Sequence, residues 1–466
     1  MKKIYLLLIT MVTLVLCTGC GEKEPKEITT VTLWHYYNAD IKTKFDDLVQ
    51  TFNETEGKEK GIIVDAYSLG GINELADALF SSANKEIGSK KMPDVFAAYS
   101  DSALRLDQLG VVASLDSYFS KKEIKQYRPD FIEDGRIGAD HALKIVPVAK
   151  STELIFLNET DFHRFSKDTG VEVSALSTWE GIAETAEKYY KWSGGKAFFG
   201  MDSLSNYMII GGKQLGEEVF KIKNGKMTFE LSRDGAKKLW DMFYVPYIKG
   251  YYTAVGRFRS DDMKSGSIIM YTGSNSSASF FPTMIETGKD TSTKIKPLVL
   301  PYPYFTGQEK VCVQQGAGMV VKKSNPKKEK ACVAFLKWFT NPKQNAAFAA
   351  ATSYLPVENQ ALSYEETLKV LGTTDEADVR VQTSKALFDM LHSYSMYASK
   401  PFEYSVDARR ILDDSLLKKA QEDVVELKSR EKAGESKQEL IKSYSGTDNF
   451  DYWYLSLIEE FKQLLN

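Results

Sequence analysis

Apolar positions along the first 150 residues switch between two periods. Val31 to His35 is a short run of strand character, after which Ile41, Phe45, Leu48, Val49 and Phe52 recur at helical spacing before a second strand at Ile62 to Tyr67. The order repeats: Ile72, Leu75, Ala76, Leu79 and Phe80 give another apolar helix face, and Pro93 to Tyr99 a third strand. Strand, helix, strand predicts parallel pairing with right-handed crossovers, and so an α/β layer structure. The segment from Ala142 to Asn158 is extended and long enough to pass from one lobe to another, and Pro301-Tyr302-Pro303 stiffens a second candidate crossing. Ser177 and Glu180 are spaced as a capping box ahead of a helix whose face carries Trp179, Ile182, Ala183 and Ala186. A strand at Ser267 to Tyr271 runs into the serine-rich stretch Thr272 to Ser277, and another from Val311 to Val321 is broken by Gly316-Ala317-Gly318. Asn325-Pro326 and Asn341-Pro342 each place a capping residue before a proline at the first helical position. Beyond Tyr354-Leu355-Pro356 the chain reads as helical to its end, with an exposed turn near Gly434.

The N-terminus changes this picture. Lys2 and Lys3 precede an apolar run from Ile4 to Cys17, shorter than the ~18 residues needed to span a bilayer, and the run ends in Cys17-Thr18-Gly19-Cys20. Residues 1–19 are expected to be an export signal, and 20–27 a polar tether. Small residues directly before Cys20 resemble a bacterial lipobox, with Cys17 where leucine is usual. That resemblance implies a diacylglycerol on Cys20, with the protein held on the outer face of the cell membrane.

Charge and residue types narrow the function. The chain of 466 residues has 60 Lys plus Arg against 63 Asp plus Glu, a formal charge of −3, which offers no basic excess for a nucleic-acid backbone. Its only histidines, His35, His141, His163 and His392, stand in no metal-ligand spacing, and no cofactor is expected. Gly194-Gly195-Lys196 and Gly211-Gly212-Lys213 lack the spacing of a phosphate loop. Cys312 and Cys332 could pair, but Cys332 in a helical pattern and Cys312 in an alternating apolar segment fit buried, unpaired thiols better than a bridge. No catalytic constellation can be named.

The Trp34-His35-Tyr36-Tyr37 strand, the Pro93-Asp94-Val95 strand, the Pro147 to Asn158 crossing, Gly316-Ala317-Gly318, Phe335 to Phe339 and Tyr354-Leu355-Pro356 resemble, in order, the family 1 extracellular solute-binding proteins of ABC importers. The resemblance implies a two-lobed α/β fold of the periplasmic-binding-protein kind with a cleft between the lobes and a helical C-terminal part. The lobes are expected at 28–150 with 305–345 and at 151–304 with 346–466. It implies a monomeric, non-enzymatic receptor that closes on its solute and delivers it to permease subunits. In detail the chain is most similar to the sn-glycerol-3-phosphate-binding subgroup, which implies ligand contacts from Tyr67, Ser151, Ser274, Gly316, Tyr354 and Arg409. Ser276 is nearly as good a match as Ser274, and the subgroup's glutamate after the third-strand tyrosine is replaced by Ser100 and Asp101. The ligand is then a sugar or polyol phosphate. The alternative is an oligosaccharide, stacked on Trp34, Trp179, Trp192 and Tyr207, and a surface-anchored carbohydrate-active enzyme is the least supported class.

Overall fold

A computed structural model describes residues 27–223, 226–288 and 291–465. The expected signal peptide, Cys20 and all of the tether except Glu27 lie outside the described residues.

Two separate sheets organise the α/β fold. The first has the strand order Ile62–Ser68, Thr29–His35, Val95–Ala98, Gly318–Val321, Ile145–Val146. Its first three strands are parallel, and Gly318–Val321 runs antiparallel to both of its neighbours. Val95–Ala98 is buried at every position, as a central strand covered on both faces must be, whereas Ile62–Ser68 alternates buried and exposed, as an edge strand does. The second sheet has the order Pro297–Leu300, Glu153–Asn158, Met270–Ser274, Phe199–Met201, and its strand Glu153–Asn158 is buried throughout.

Three passages join the sheets. Pro147 to Thr152 links Ile145–Val146 to Glu153–Asn158, as the extended run from Ala142 predicts. The second passage differs from expectation. Pro301 to Pro303 stays with the second sheet, where Tyr302 is buried against Trp179 at 5.5 Å, and the chain crosses instead at Gln314 to Ala317. The glycine break therefore splits Val311 to Val321 into two strands in different places: Val311–Val313 pairs with Ser395–Tyr397, and only Gly318–Val321 enters the first sheet. The third passage follows the helix Pro342–Thr352, and Leu355 bridges to Lys150 beside the first.

Local signals account for the helices. Asn325 Oδ1 accepts from Lys328 N at 3.0 Å and Asn341 Oδ1 from Lys343 N at 3.1 Å, capping Pro326–Thr340 and Pro342–Thr352. Both return to the first sheet, where Phe52 meets Phe335 at 5.2 Å and Phe348 meets Tyr37 at 5.4 Å. A lobe division at 345/346 therefore cuts through one continuous helix. The capping box at Ser177 is absent: Thr178 is the cap, accepting from Gly181 N at 3.1 Å, and Glu180 instead accepts from Thr306 N at 3.1 Å. The C-terminal part is helical as expected. Ser405–Lys432 buries Leu412, Leu416, Ala420 and Leu427, and Thr447–Leu465 brings Trp453 to 5.1 Å from Trp240 of the helix Arg233–Ile248. Cys312 and Cys332 are buried and free, and burial pushes both thiols up to about 12.

Candidate functional site

Elements of both sheets converge on a cleft of about 740 Å³. Tyr99 follows the strand Val95–Ala98, Asp202 and Ser203 follow Phe199–Met201, and Ser274 ends Met270–Ser274, so the cleft lies at the carboxyl ends of strands, where open α/β sheets take ligands. Tyr99, Ser100, Asp101 and Asp134 line one wall, and the loop Gln314 to Gly316 lines the passage between the sheets.

A polar chain runs across the second wall. Asn206, on the buried helix Leu204–Gln214, donates to Glu153 Oε1 at 2.8 Å and to Gln315 Oε1 at 3.3 Å, and its own Oδ1 accepts from Arg409 Nη2 at 2.5 Å. Asp413, one turn beyond Arg409, accepts from Ser205 N at 2.6 Å. Burial raises the Glu153 carboxyl to about 7, against the partial relief given by Asn206 and Arg409. The lining carboxylates are Asp101, Asp134, Glu153, Asp202, Asp261 and Asp413. The lining cations are Arg257, Lys264, Lys400 and Arg409; with Asp134 paired to Lys150 and Glu153 raised by burial, the other four carboxylates match them in number. Two phenylalanines stand in the same cleft with their side chains open to solvent, Phe258 at 53% and Phe280 at 52% exposure.

A sequence description of the bacterial extracellular solute-binding proteins matches residues 47–369, more than half of the chain. The chain belongs to this family. None of the curated protein sequences matches it. Among solved structures it is similar to the UgpB protein of Mycobacterium tuberculosis in complex with glycerophosphocholine, with a TM-score of 0.66 at 16% identity over 93% of this chain and 99% of that one. The cyclic α-maltosyl-1,6-maltose-binding protein of Arthrobacter globiformis gives 0.64 at 15% identity over 93% and 100%. The substrate-binding protein Lmo0181 of Listeria monocytogenes in complex with cycloalternan gives 0.64 at 16% over 91% and 98%. These likenesses carry the two-lobed periplasmic-binding-protein-like fold.

In this solute-binding protein the expected contact residues divide into three groups. Ser274, Gly316 and Arg409 line the cleft, as does Ser276, whose hydroxyl bonds that of Ser274 at 3.1 Å. Gly316 has φ 110°, and a Cβ there would stand 2.5 Å from the Ala149 carbonyl, so the passage needs glycine where two crossings touch. Arg409 pairs with Asn206 rather than with Asp413 on its own helix. Ser151 and Tyr354 lie behind the lining. The Ser151 backbone exchanges two hydrogen bonds with Gln315, at 2.8 and 2.9 Å, and the Tyr354 hydroxyl lies in hydrogen-bonding contact with Ser276 and Tyr36. Tyr67 lies outside the cleft: it shares the outward face of an edge strand with Ile63 and Asp65, is 47% exposed, and its hydroxyl bonds Asp65.

The four expected stacking residues are elsewhere. Trp34 is buried in the core, and Trp179 is fully buried, its indole donating to Gln214 Oε1 at 3.3 Å. Tyr207 is fully buried with its hydroxyl on the Leu239 carbonyl at 2.9 Å. Trp192 sits at the surface away from the cleft, donating to Asp168 at 3.0 Å and packed 5.6 Å from Phe165. The apolar helix face that drew attention to Trp179 is the face the helix buries. Sequence reasoning passed over Asn206, Asp202, Phe258 and Phe280; the one signal available was Ser203, a capping residue before an apolar helix, which accepts from Asn206 N at 3.2 Å.

Proposed function

We propose that this protein is the lipid-anchored receptor of an ABC importer and that it captures a neutral oligosaccharide by closing its two lobes on the cleft. One observation carries the choice of ligand: two solvent-open phenyl rings stand beside carboxylates that leave the cleft no net positive charge. Carboxylates accept hydrogen bonds from sugar hydroxyls, and aromatic rings cover the C–H faces of pyranoses, whereas a phosphate dianion is repelled by the same carboxylates. The cleft volume of about 740 Å³ also falls toward the upper part of the roughly 300–1,000 Å³ usual for ligand sites.

A sugar or polyol phosphate such as glycerol 3-phosphate is the second reading, and Arg409 is the observation that favours it. Its guanidinium reaches the cleft and forms a hydrogen bond to an uncharged partner, Asn206, while the likeness to a glycerophosphocholine complex points the same way. The first reading is preferred because carboxylates offset the cations of that surface and two phenyl rings stand open beside them.

A thermal-shift screen separates the two. Ligand at 100 times its Kd adds about 2.7 kcal/mol of stability, a readily visible rise in melting temperature. Neutral gluco- or manno-oligosaccharides are expected to raise the melting temperature and glycerol 3-phosphate to leave it unchanged. A rise with phosphate esters alone would refute the proposal.

A further inference from the structure

The loop Val255–Phe258 projects Arg257 and Phe258 at the cleft, yet it is fastened from beneath by charge. Arg259, its side chain 6% exposed, pairs through Nη1 with Asp262, 2% exposed, and donates through Nη2 to the Gly256 carbonyl. The Asp262 carboxylate accepts from Gly256 N at 2.7 Å and Val255 N at 3.2 Å, and Asp261 accepts from Phe258 N at 3.2 Å. Burying an ion pair is a poor source of stability, because desolvation offsets most of the attraction; what this one does is tie the loop backbone to two carboxylates. The backbone so tied carries Phe258, which is left 53% exposed.

The same arginine also reaches the other side. Arg259 N donates to Asp202 Oδ1 at 2.9 Å, with Nε 3.7 Å from that oxygen. The second oxygen of Asp202 lies over Gly273, where a Cβ would come within 2.8 Å of it, so the strand Met270–Ser274 carries a glycine where the carboxylate needs room. A cleft carboxylate and the loop that carries a cleft phenyl ring are thus both tied to Arg259, the first through its backbone N–H and the second through its guanidinium.

We propose that Phe258 and Asp202 form one recognition unit for a single pyranose ring, the phenyl ring covering a C–H face and the carboxylate accepting hydroxyls at the ring's edge, with Arg259 as the positioning residue beneath both. This rests on the oligosaccharide reading. The ligand face that meets the unit is apolar in its centre and polar at its rim, which a pyranose supplies and a small phosphate ester does not.

Calorimetry on the full mature chain, with maltotriose, mannotriose and cycloalternan as probes, tests it. For the probe that binds the wild type, Phe258→Ala should weaken binding about 5-fold, the scale of an aromatic contact, and Asp202→Asn about 10-fold or more, the scale of a charged hydrogen bond. The double variant should lose less than the product of the two, because each contact depends on the ring being seated by the other. Arg259→Lys keeps the charge but cannot hold Asp262 and Gly256 together; it should weaken binding in the wild type, leave affinity unchanged in the double variant, and speed amide exchange at Val255 and Gly256. A merely structural arginine would weaken binding equally in both backgrounds. Single variants within about twofold of wild type, or losses that multiply independently, would overturn the unit while leaving the oligosaccharide reading intact. Absence of binding by the wild type to any of the three probes would overturn that reading, and the unit with it.

Discussion

Glu153 begins a fully buried strand and opens onto the cleft, and its carboxyl is raised by burial to about 7. In the unfolded chain the same group ionises near its ordinary value of 4.5. Between those two values the folded state holds a proton that the unfolded state has released. Stability must therefore fall as pH rises through that window and level off above it. The separation of 4.5 from about 7 converts to about 3 kcal/mol. Glu153→Gln keeps an oxygen for the Asn206 amide, which donates at 2.8 Å, and removes the titration. Glu358 is also raised to about 7 by burial and contributes in the same direction, so the informative quantity is the difference between wild type and variant. Urea unfolding of the ligand-free protein at intervals from pH 4.5 to pH 8 supplies it. The variant should gain about 3 kcal/mol on the wild type across that range. A difference that does not change with pH would refute the reasoning, and a change of opposite sign would mean that Glu153 is held ionised.

Three further outcomes are expected. Gly316→Ala forces a side chain into φ 110° and against the Ala149 carbonyl, so it should cost about 1–3 kcal/mol, read as a lower melting temperature; an unchanged melt would show that the crossings do not touch there. Cys20→Ala should release the protein from the membrane fraction, and mass spectrometry finding an unmodified N-terminus beyond that cysteine would contradict the lipid anchor. Small-angle scattering should show a smaller radius of gyration at saturating ligand, because contacts from Ser100 and Asp101 on one wall and Asp202 and Arg409 on the other are made together only when the lobes close; no compaction would count against the hinge.

The first sheet was legible because its signals are local. Phe45, Leu48, Val49 and Phe52 repeat at 3.6-residue spacing, and the helix Ala39–Glu54 buries that face; Asn325 and Asn341 cap where an asparagine before proline must. The site was half legible. Ser274, Gly316 and Arg409 were reached through family resemblance, not through their own chemistry, and they do line the cleft. The stacking residues were misplaced because indoles and phenols look like sugar platforms in a sequence, while burial is a tertiary property: Trp179 and Tyr207 carry polar atoms, yet Gln214 and the Leu239 carbonyl satisfy them inside the core. Phe258 and Phe280 gave no signal, since a phenylalanine in a short segment reads as core; only the structure shows Phe258 on a loop tied by a buried arginine and its aspartate, and Phe280 at the end of the turn Asn275–Phe280. The passage at Gln314 was missed for a related reason. Pro301 and Pro303 stiffen a chain wherever it goes, but only Gly316 tolerates the approach of Ala149.

The central claim, a cleft for a neutral oligosaccharide rather than for a phosphate, is tested most directly by its salt dependence. Titration calorimetry of the wild type against the oligosaccharide that ranks first in the screen, and against glycerol 3-phosphate, is run at low and at high ionic strength. The oligosaccharide should bind tightly with an affinity unchanged by salt, and the phosphate should give no measurable heat. Binding of glycerol 3-phosphate that weakens steeply with salt, with no oligosaccharide binding, would contradict it and return Arg409 to the role of anion partner.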